Sequence, residues 1–270
     1  MALLEYGNKF VDDRFSPLVE PNLFDNNVFQ PNVTFTDKYQ IGAAGQVLVH
    51  KLGKVAVSSS TPGGDFTHTD TADSTIILPI DKAFQRSEKI YNVQAGAVSY
   101  DIAASHMEQA LADIREGWNS EIAGVLEAGT TASEAGTTAL AADTIYGIVV
   151  DDRQALVENG AKPNVMIVSP ATYALLLKSD QFLRAGDLGD NVVATGQVGS
   201  IAGLAVFEYQ GLASTTDYVI YDKDALSVVT SINMMRMIDS PDFNGTLAQV
   251  EIVSGFAITN QDRVLVKENA

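Results

Sequence analysis

The stretch SYDIAASHMEQALADIREGWNSEIAGVLEA, residues 99–128, constrains this chain more than any other. Ile102, Ala103, Met107, Ala110, Leu111, Ile114, Trp118, Ile122, Val125 and Leu126 recur at i, i+3, i+4 and i+7 spacing. That is the period of an amphipathic helix, sustained for about seven turns. Ser99 or Asp101 can cap its start, and Gly129 stops it. At 1.5 Å per residue it spans roughly 45 Å, more than twice the mean helix length. The fold must therefore supply an apolar surface of that length. Ile102, Leu111, Ile114, Trp118, Ile122 and Val125 are the side chains expected to pack on it. The opposite face carries Asp101, Glu108, Asp113, Glu116, Glu121 and Glu127 against Arg115. Such an excess of acid leaves little i,i+4 ion pairing, so packing has to hold the helix.

The segments before the helix do not read as an ordinary domain start. In residues 1–45, Pro17, Pro21 and Pro31 oppose helix, while Asn22, Asn26, Asn27 and Asn32 favour turns. Yet Tyr6, Phe10, Phe15, Phe24, Phe29, Phe35 and Tyr39 are spread through the same segment, which a disordered tail would not carry. This is an extended arm that lies on apolar surface, either its own core or a neighbouring subunit. Residues 46–90 read as a long hairpin. Val47, Val49, Val55 and Val57 alternate at period two, SSSTPGGD supplies turn chemistry, and TADSTIILPIDKAF supplies a second strand. Pro79 marks that strand as an edge. Two strands alone are marginal in water, so the hairpin has to pack on something else.

After the helix, GTTASEAGTTALAAD (129–143) reads as a loop. A helix from Asp143 to Asn159 follows, with Gly160 at its end. The strand VMIV (165–168) leads into Ser169-Pro170, an N-cap serine with proline at the first helical position, and the helix ATYALLLKS. From Asp217 onward the chain is rich in strands, ending on VLV (264–266). The mixture of these elements predicts an α+β fold.

Composition removes several functions. The balance of 17 basic against 34 acidic residues gives a formal charge of −17, which opposes broad binding to phosphate backbones. With no cysteine there is no disulfide, thiol nucleophile or thiolate metal site. The first residues, MALLEYGNKF, lack the pattern of a signal peptide, and no apolar run reaches membrane-spanning length. A soluble compartment and no membrane partner are expected.

The stretch TGQVGSIAGLAVFEYQG holds Gly196, Gly199 and Gly203 and invites a phosphate-loop reading. Its spacing is G-x-x-G-x-x-x-G, no Walker lysine follows, and LAVFEY is a strand rather than a helix. Turn glycines that let the backbone reverse before a strand fit better. His50, His68 and His106 are far apart in sequence, and His106 reads as a partly exposed helical side chain. Asp65, His68, Asp70 and Asp73 could meet a divalent cation, but a solvated loop tip fits better. Asp151, Asp152 and Arg153 are expected on the wet face of their helix. No G-x-S-x-G elbow is present. No catalytic residue, cofactor or metal is expected.

The order of parts resembles the major capsid proteins of tailed phages, the Hong Kong 97-like fold. PNVMIVSPATYALLLKSDQFL (163–183) followed by VGSIAGLAVFEYQGL (198–212) carries the most specific likeness. Such proteins often show a strand ending in Ser-Pro, a helix with paired leucines, a short gap, and a glycine-rich segment leading into a strand. The resemblance covers essentially the whole chain and implies a layout. Residues 1–45 would be the N-terminal arm, 46–90 the E-loop, and 91–142 the peripheral domain with its spine helix. Residues 143–230 would be the axial domain, holding the turn glycines Gly196, Gly199 and Gly203. Residues 231–270 would return strands to the peripheral domain. Some members cross-link their E-loops through a lysine and an asparagine. Lys51 and Lys54 stand in that region, but nothing local marks either as reactive.

The implied function is a non-enzymatic coat protein that self-assembles, through pentameric and hexameric capsomers, into an icosahedral shell. That shell would enclose double-stranded DNA without sequence-specific binding. A separate scaffolding protein, a portal and a decoration protein are the implied partners. Assembly would take place in the cytoplasm of a bacterial host, and the product would be a virion. Two alternatives remain at this point: an encapsulin-like nanocompartment shell, and a soluble α/β enzyme using residues 143–210. The long arm and the PGG-tipped hairpin favour the capsid over the nanocompartment.

Overall fold

The long amphipathic helix lies against two different sheets, and the rest of the architecture follows from that. The fold is seen in a computed structural model that describes residues 28, 29, 32, 34–35, 46–51, 57, 68, 70, 73–91, 102–129, 131–179 and 199–269. Most of the arm, the turn of the first hairpin, Lys54 and Gly196 lie outside the described residues. In chain order the elements are β1 (Thr34–Phe35), β2 (Gln46–Lys51), β3 (Ser74–Pro79), β4 (Lys82–Tyr91), α1 (Ile102–Glu127) and β5 (Thr131–Ala132). They continue with α2 (Ile145–Glu158), β6 (Val165–Val168), α3 (Pro170–Lys178), β7 (Ser200–Ile201), β8 (Leu204–Glu208) and β9 (Thr216–Tyr221). The last are β10 (Leu226–Asp239), β11 (Gly245–Ile258) and β12 (Val264–Glu268).

Among the described residues the strands form three sheets. One has four strands in the order β1-β10-β11-β4, one has six in the order β5-β12-β9-β6-β8-β7, and β2 with β3 makes the third. The six-stranded sheet is mixed: β6 runs parallel to β8 and antiparallel to β9. Its central strands β6 and β9 are buried along their whole length, which is why VMIV reads as a continuous apolar run. The Ser169 side chain caps α3 by accepting from the Thr172 backbone N–H, with Pro170 in the first turn. α2 stops at Glu158, and Gly160 takes φ 81° just beyond it.

The core has two main parts, one on each face of the six-stranded sheet. On one face Ile122, Ala123 and Leu126 of α1 pack with Val165, Ile167, Val219, Tyr221, Val264 and Val266. On the other, Ile145, Val149 and Leu156 of α2 and Leu176 of α3 cover Met166, Val168, Tyr218, Ile220 and Leu265. The N-terminal half of α1 packs elsewhere: Ala110 and Ile114 meet Val250 of the four-stranded sheet, with Leu111, Phe84 and Ile252 around them. At 26 residues, α1 is about 39 Å long and spans both sheets.

Three segments depart from what the sequence suggests. Among the described residues, the hairpin expected over 46–90 is paired between β2 and β3, from Gln46↔Pro79 to Lys51↔Ser74. Residues 82–91 leave it and join β11 as the outer strand of the four-stranded sheet, with Phe84 on the face under α1. The strands after residue 231 also part company. β10 and β11 form a long antiparallel pair, while β12 crosses to the six-stranded sheet beside β9. The loop expected over 129–143 contains β5, a short strand parallel to β12.

The described part of the arm docks on its own chain. Phe29 is fully buried and meets the Tyr209 ring edge-on at 5.1 Å. The Asn32 carbonyl accepts from the Tyr221 hydroxyl at 3.2 Å, and β1 pairs in parallel with Ser227 and Val228 of β10.

Candidate functional site

The side chains expected to pack along α1 divide between the two sheets. Ile114 and Ile122 are buried, Leu111 and Val125 half-buried, and Trp118 meets Phe256 edge-on at 5.7 Å. Ile102 opens the helix, and its side chain lies outside the described residues. Acids of α1 find cationic partners on β4. Lys82 pairs with Glu121 at 3.2 Å, and Arg86 pairs with both Asp113 and Glu88. His106 Nδ1 lies 2.7 Å from Glu88 Oε2. Burial pulls the Glu88 carboxyl up, but the hydrogen bonds and charges of Arg86 and His106 outweigh it and hold it below its ordinary value.

Gly199 precedes the β7–β8 hairpin and Gly203 sits in its turn. Ile201 pairs with Leu204, leaving Ala202 and Gly203 as a two-residue turn with φ 48° and 83°. Positive φ at both positions is the requirement of a type I′ turn, so a glycine at 203 has a backbone reason. The Gly199 carbonyl accepts from the Val206 N–H at 3.1 Å, and no helix N-terminus opens at these glycines.

Buried polar groups lie behind the sheet. Asp152, expected to be wet, is fully buried, because its turn of α2 faces β9 and the 131–138 loop. Its Oδ2 accepts from the Tyr218 hydroxyl at 2.6 Å, and its Oδ1 from Ser133 Oγ at 2.8 Å and from the Glu134 N–H at 3.2 Å. Lys267, also fully buried, donates from Nζ to the carbonyls of Gly136, Thr138 and Glu268 at 2.7–2.9 Å. Asp222 accepts from the Lys162 and Asp224 N–H groups and from Arg263 Nη1, where two chain crossings between the sheets pass. Nothing in the local sequence marks these three residues, since each needs neighbours more than 18 positions away. The donors and acceptors satisfy one another, which is the pattern of a structural network.

Among the described residues no group of three or more His, Cys, Asp or Glu side chains could hold a metal ion. His68, Asp70 and Asp73 are exposed, and Asp65 lies outside the described residues. A cavity of about 400 Å³ runs over the face of the four-stranded sheet away from α1, lined by Gln85, Ser87, Arg236, Gln249 and Glu251. Its side chains are spent on one another. Gln85 donates to Glu251, Arg236 to Gln249, and Gln249 to Ser87. No described helix is long and apolar enough to cross a membrane.

A family model described as phage capsid protein matches residues 81–267, more than half of the chain. The chain belongs to the phage capsid protein family. Solved structures agree on the fold. One from Mycobacterium phage Che8 superposes with a TM-score of 0.78 at 19% identity, covering 96% of this chain and 97% of that one. The capsid of the cyanophage P-SCSP1u gives 0.77 at 13% identity, over 96% and 91% of the two chains. The capsid of an empty GTA particle gives 0.68 at 14% identity, over 100% and 99%. No curated protein matches the sequence. In this phage capsid protein the surface is unfinished at the first hairpin. Val47 and Leu78 are buried against Val229, while Leu48 and Ile77, opposite each other in register, are 48% and 55% exposed.

Proposed function

We propose that this chain is the major coat protein of a tailed phage and self-assembles into the icosahedral shell around a double-stranded DNA genome. The observation that carries this reading is a fold shared end to end with phage capsids, on a chain whose β2–β3 hairpin leaves Leu48 and Ile77 exposed. A cross-strand pair such as Leu48 and Ile77 is apolar surface that contact with a neighbouring subunit would remove from water. The formal charge of −17 suits a container that encloses DNA without clinging to it. A strongly basic inner surface in assembled particles would contradict that role.

The strand pairing supports a division of labour close to the one the resemblance implies, with shifted edges. In this reading residues 1–45, most of which lie outside the described residues, are the arm, β2 and β3 the paired part of the E-loop, and β4, α1, β10 and β11 the peripheral domain. The axial domain takes α2 to β9, with the Gly199 and Gly203 turn, and also β5 and β12. The residues of α1 that reach both sheets make it the spine. Scaffolding, portal and decoration proteins are the partners this reading brings with it, and a bacterial cytoplasm the place of assembly.

Negative-stain electron microscopy with mass photometry on the purified chain tests the reading. Closed shells or regular capsomers support it. Small uniform particles, unchanged by concentration, salt or a co-expressed scaffold, would sink it.

A further inference from the structure

The sequence places a glycine directly after an asparagine twice, at Asn159-Gly160 and at Asn244-Gly245. In such a pair the backbone nitrogen of the glycine can reach the asparagine side-chain carbon, because no Cβ stands in the way. The fold treats the two pairs differently. Asn159 closes α2 with φ −73° and ψ 0°. Its N–H donates to the Ala155 carbonyl at 3.2 Å, and the Gly160 N–H donates to the Val157 carbonyl at 2.9 Å. Ring closure there would take the Gly160 nitrogen out of the bond that ends the helix.

Asn244 lies in the connection between β10 and β11, outside any helix, and is exposed. The residues beside it are held. The Phe243 ring lies 5.1 Å from the Tyr91 ring and 5.4 Å from the Lys89 ammonium, and the Gly245 carbonyl accepts from the Ser240 N–H at 3.1 Å. Gly245 is buried. A Cβ there would overlap the Ile90 carbonyl oxygen and lie 2.6 Å from Phe243 Cε2. Packing therefore demands glycine at 245, and the same missing side chain leaves its nitrogen open towards the Asn244 amide.

We propose that Asn244 is a site of spontaneous deamidation. The Gly245 nitrogen gives up its proton and attacks Asn244 Cγ. The new C–N bond closes a succinimide ring, and the side-chain nitrogen leaves as ammonia, carrying the proton. Water then opens the ring at one or the other carbonyl, giving aspartate or isoaspartate. One water is consumed and one ammonia released, so no oxidant, metal or enzyme is required. The product adds a negative charge to a turn that already carries the exposed Asp239 and Asp242. Isoaspartate also lengthens the backbone by a methylene just before Gly245, where the Ile90 carbonyl leaves no room. This chemistry does not depend on the coat-protein reading.

Timed incubation of the purified chain at mildly alkaline pH tests the site, read by peptide mass spectrometry with isoaspartate detection. The peptide holding Asn244 should convert from amide to acid. The peptide holding Asn159 should lag by about five- to tenfold, the factor that one backbone hydrogen bond is worth. In urea neither pair is protected, and the two should convert at similar rates, which assigns the difference to the fold. Asn244→Gln keeps an amide but would need a larger ring, so acid at position 244 should no longer accumulate. A thermal melt checks that this variant folds. Asn159 converting as fast as Asn244 in the folded chain would overturn the proposal. So would an Asn244 that stays an amide in the folded chain while converting in urea.

Discussion

The Tyr218 hydroxyl donates to Asp152 Oδ2 at 2.6 Å between two fully buried residues, one on the central strand β9 and one on α2. Burial, then the charge and hydrogen bond of Asp152, push the Tyr218 phenol far above its ordinary value. Burial alone does the same to Tyr221, whose hydroxyl donates to the Asn32 carbonyl. A tyrosine with a raised folded-state pKa contributes stability that is fully present below the unfolded value near 10. That stability is lost as pH climbs from there towards the folded value. Above about pH 10, stability should therefore fall by roughly 1.4 kcal/mol per pH unit for each of these tyrosines. Urea unfolding across pH 9–11 checks this, and Tyr221→Phe should remove one tyrosine's share of the slope. A flat profile would mean that the phenols ionise in the folded chain.

Lys267, like Asp152, holds the connector between α1 and α2. Its three carbonyl acceptors lie on residues 136, 138 and 268, so one ammonium ties the 131–140 loop to the end of β12. Replacing it with Met keeps the length of the stem and removes every donor. Lys267→Met should cost about 3 kcal/mol, because carbonyls would be left buried without a partner. Urea unfolding measures the loss, and hydrogen exchange should show faster opening of residues 133–140. A variant as stable as the parent would mean that water replaces the ammonium without cost.

The parts of this fold that the sequence made legible are those built from local pattern. The α1 period, the Ser169-Pro170 start of α3, the VMIV strand and the turn before LAVFE all depend on residues within a few positions of one another. What stayed hidden depends on pairing at long range. Nothing near Lys82 says that its strand leaves one hairpin for another sheet, since alternation is the same in both. β12 reads as a strand, but its partner β9 is some 45 positions upstream. Asp152 shows the same limit. An acid beside another acid on a helix is normally wet, and only the tertiary placement of Tyr218 and Ser133 makes burial tolerable.

Gly255 sits where the first hairpin meets the long one. A Cβ there would lie 2.2 Å from the Pro79 carbonyl oxygen and 3.2 Å from Ile80 Cα, both backbone atoms. Neither can yield by turning a side chain, so Gly255→Ala should push the end of β3 off β11 and cost about 1–3 kcal/mol. Gly124 is the control: it is exposed on α1, and a Cβ there meets nothing within 4 Å. Gly124→Ala should stabilise by up to about 1 kcal/mol through helix propensity alone. Thermal melts separate the two, and limited proteolysis should cut the β2–β3 hairpin faster only in the first. Equal effects of the two substitutions would contradict the close approach.

Asp217 should respond with the opposite sign to the other buried polar groups. It is buried on β9, and its Oδ2 has no hydrogen-bond partner. Burial raises its carboxyl pKa, with the Lys267 charge and a Thr172 hydrogen bond pulling part of the way back. A carboxyl whose folded value lies above its unfolded value near 3.9 weakens the fold once it ionises. Stability is thus lost as pH rises from about 4 through the folded value. Asp217→Asn keeps the shape and the Thr172 contact while removing the charge. It should raise stability at pH 7 relative to the parent and leave stability at pH 4 nearly unchanged. Urea unfolding of both chains at the two pH values decides it. A variant that is weaker at pH 7 would show that the carboxylate's attraction for Lys267 exceeds the cost of burying it.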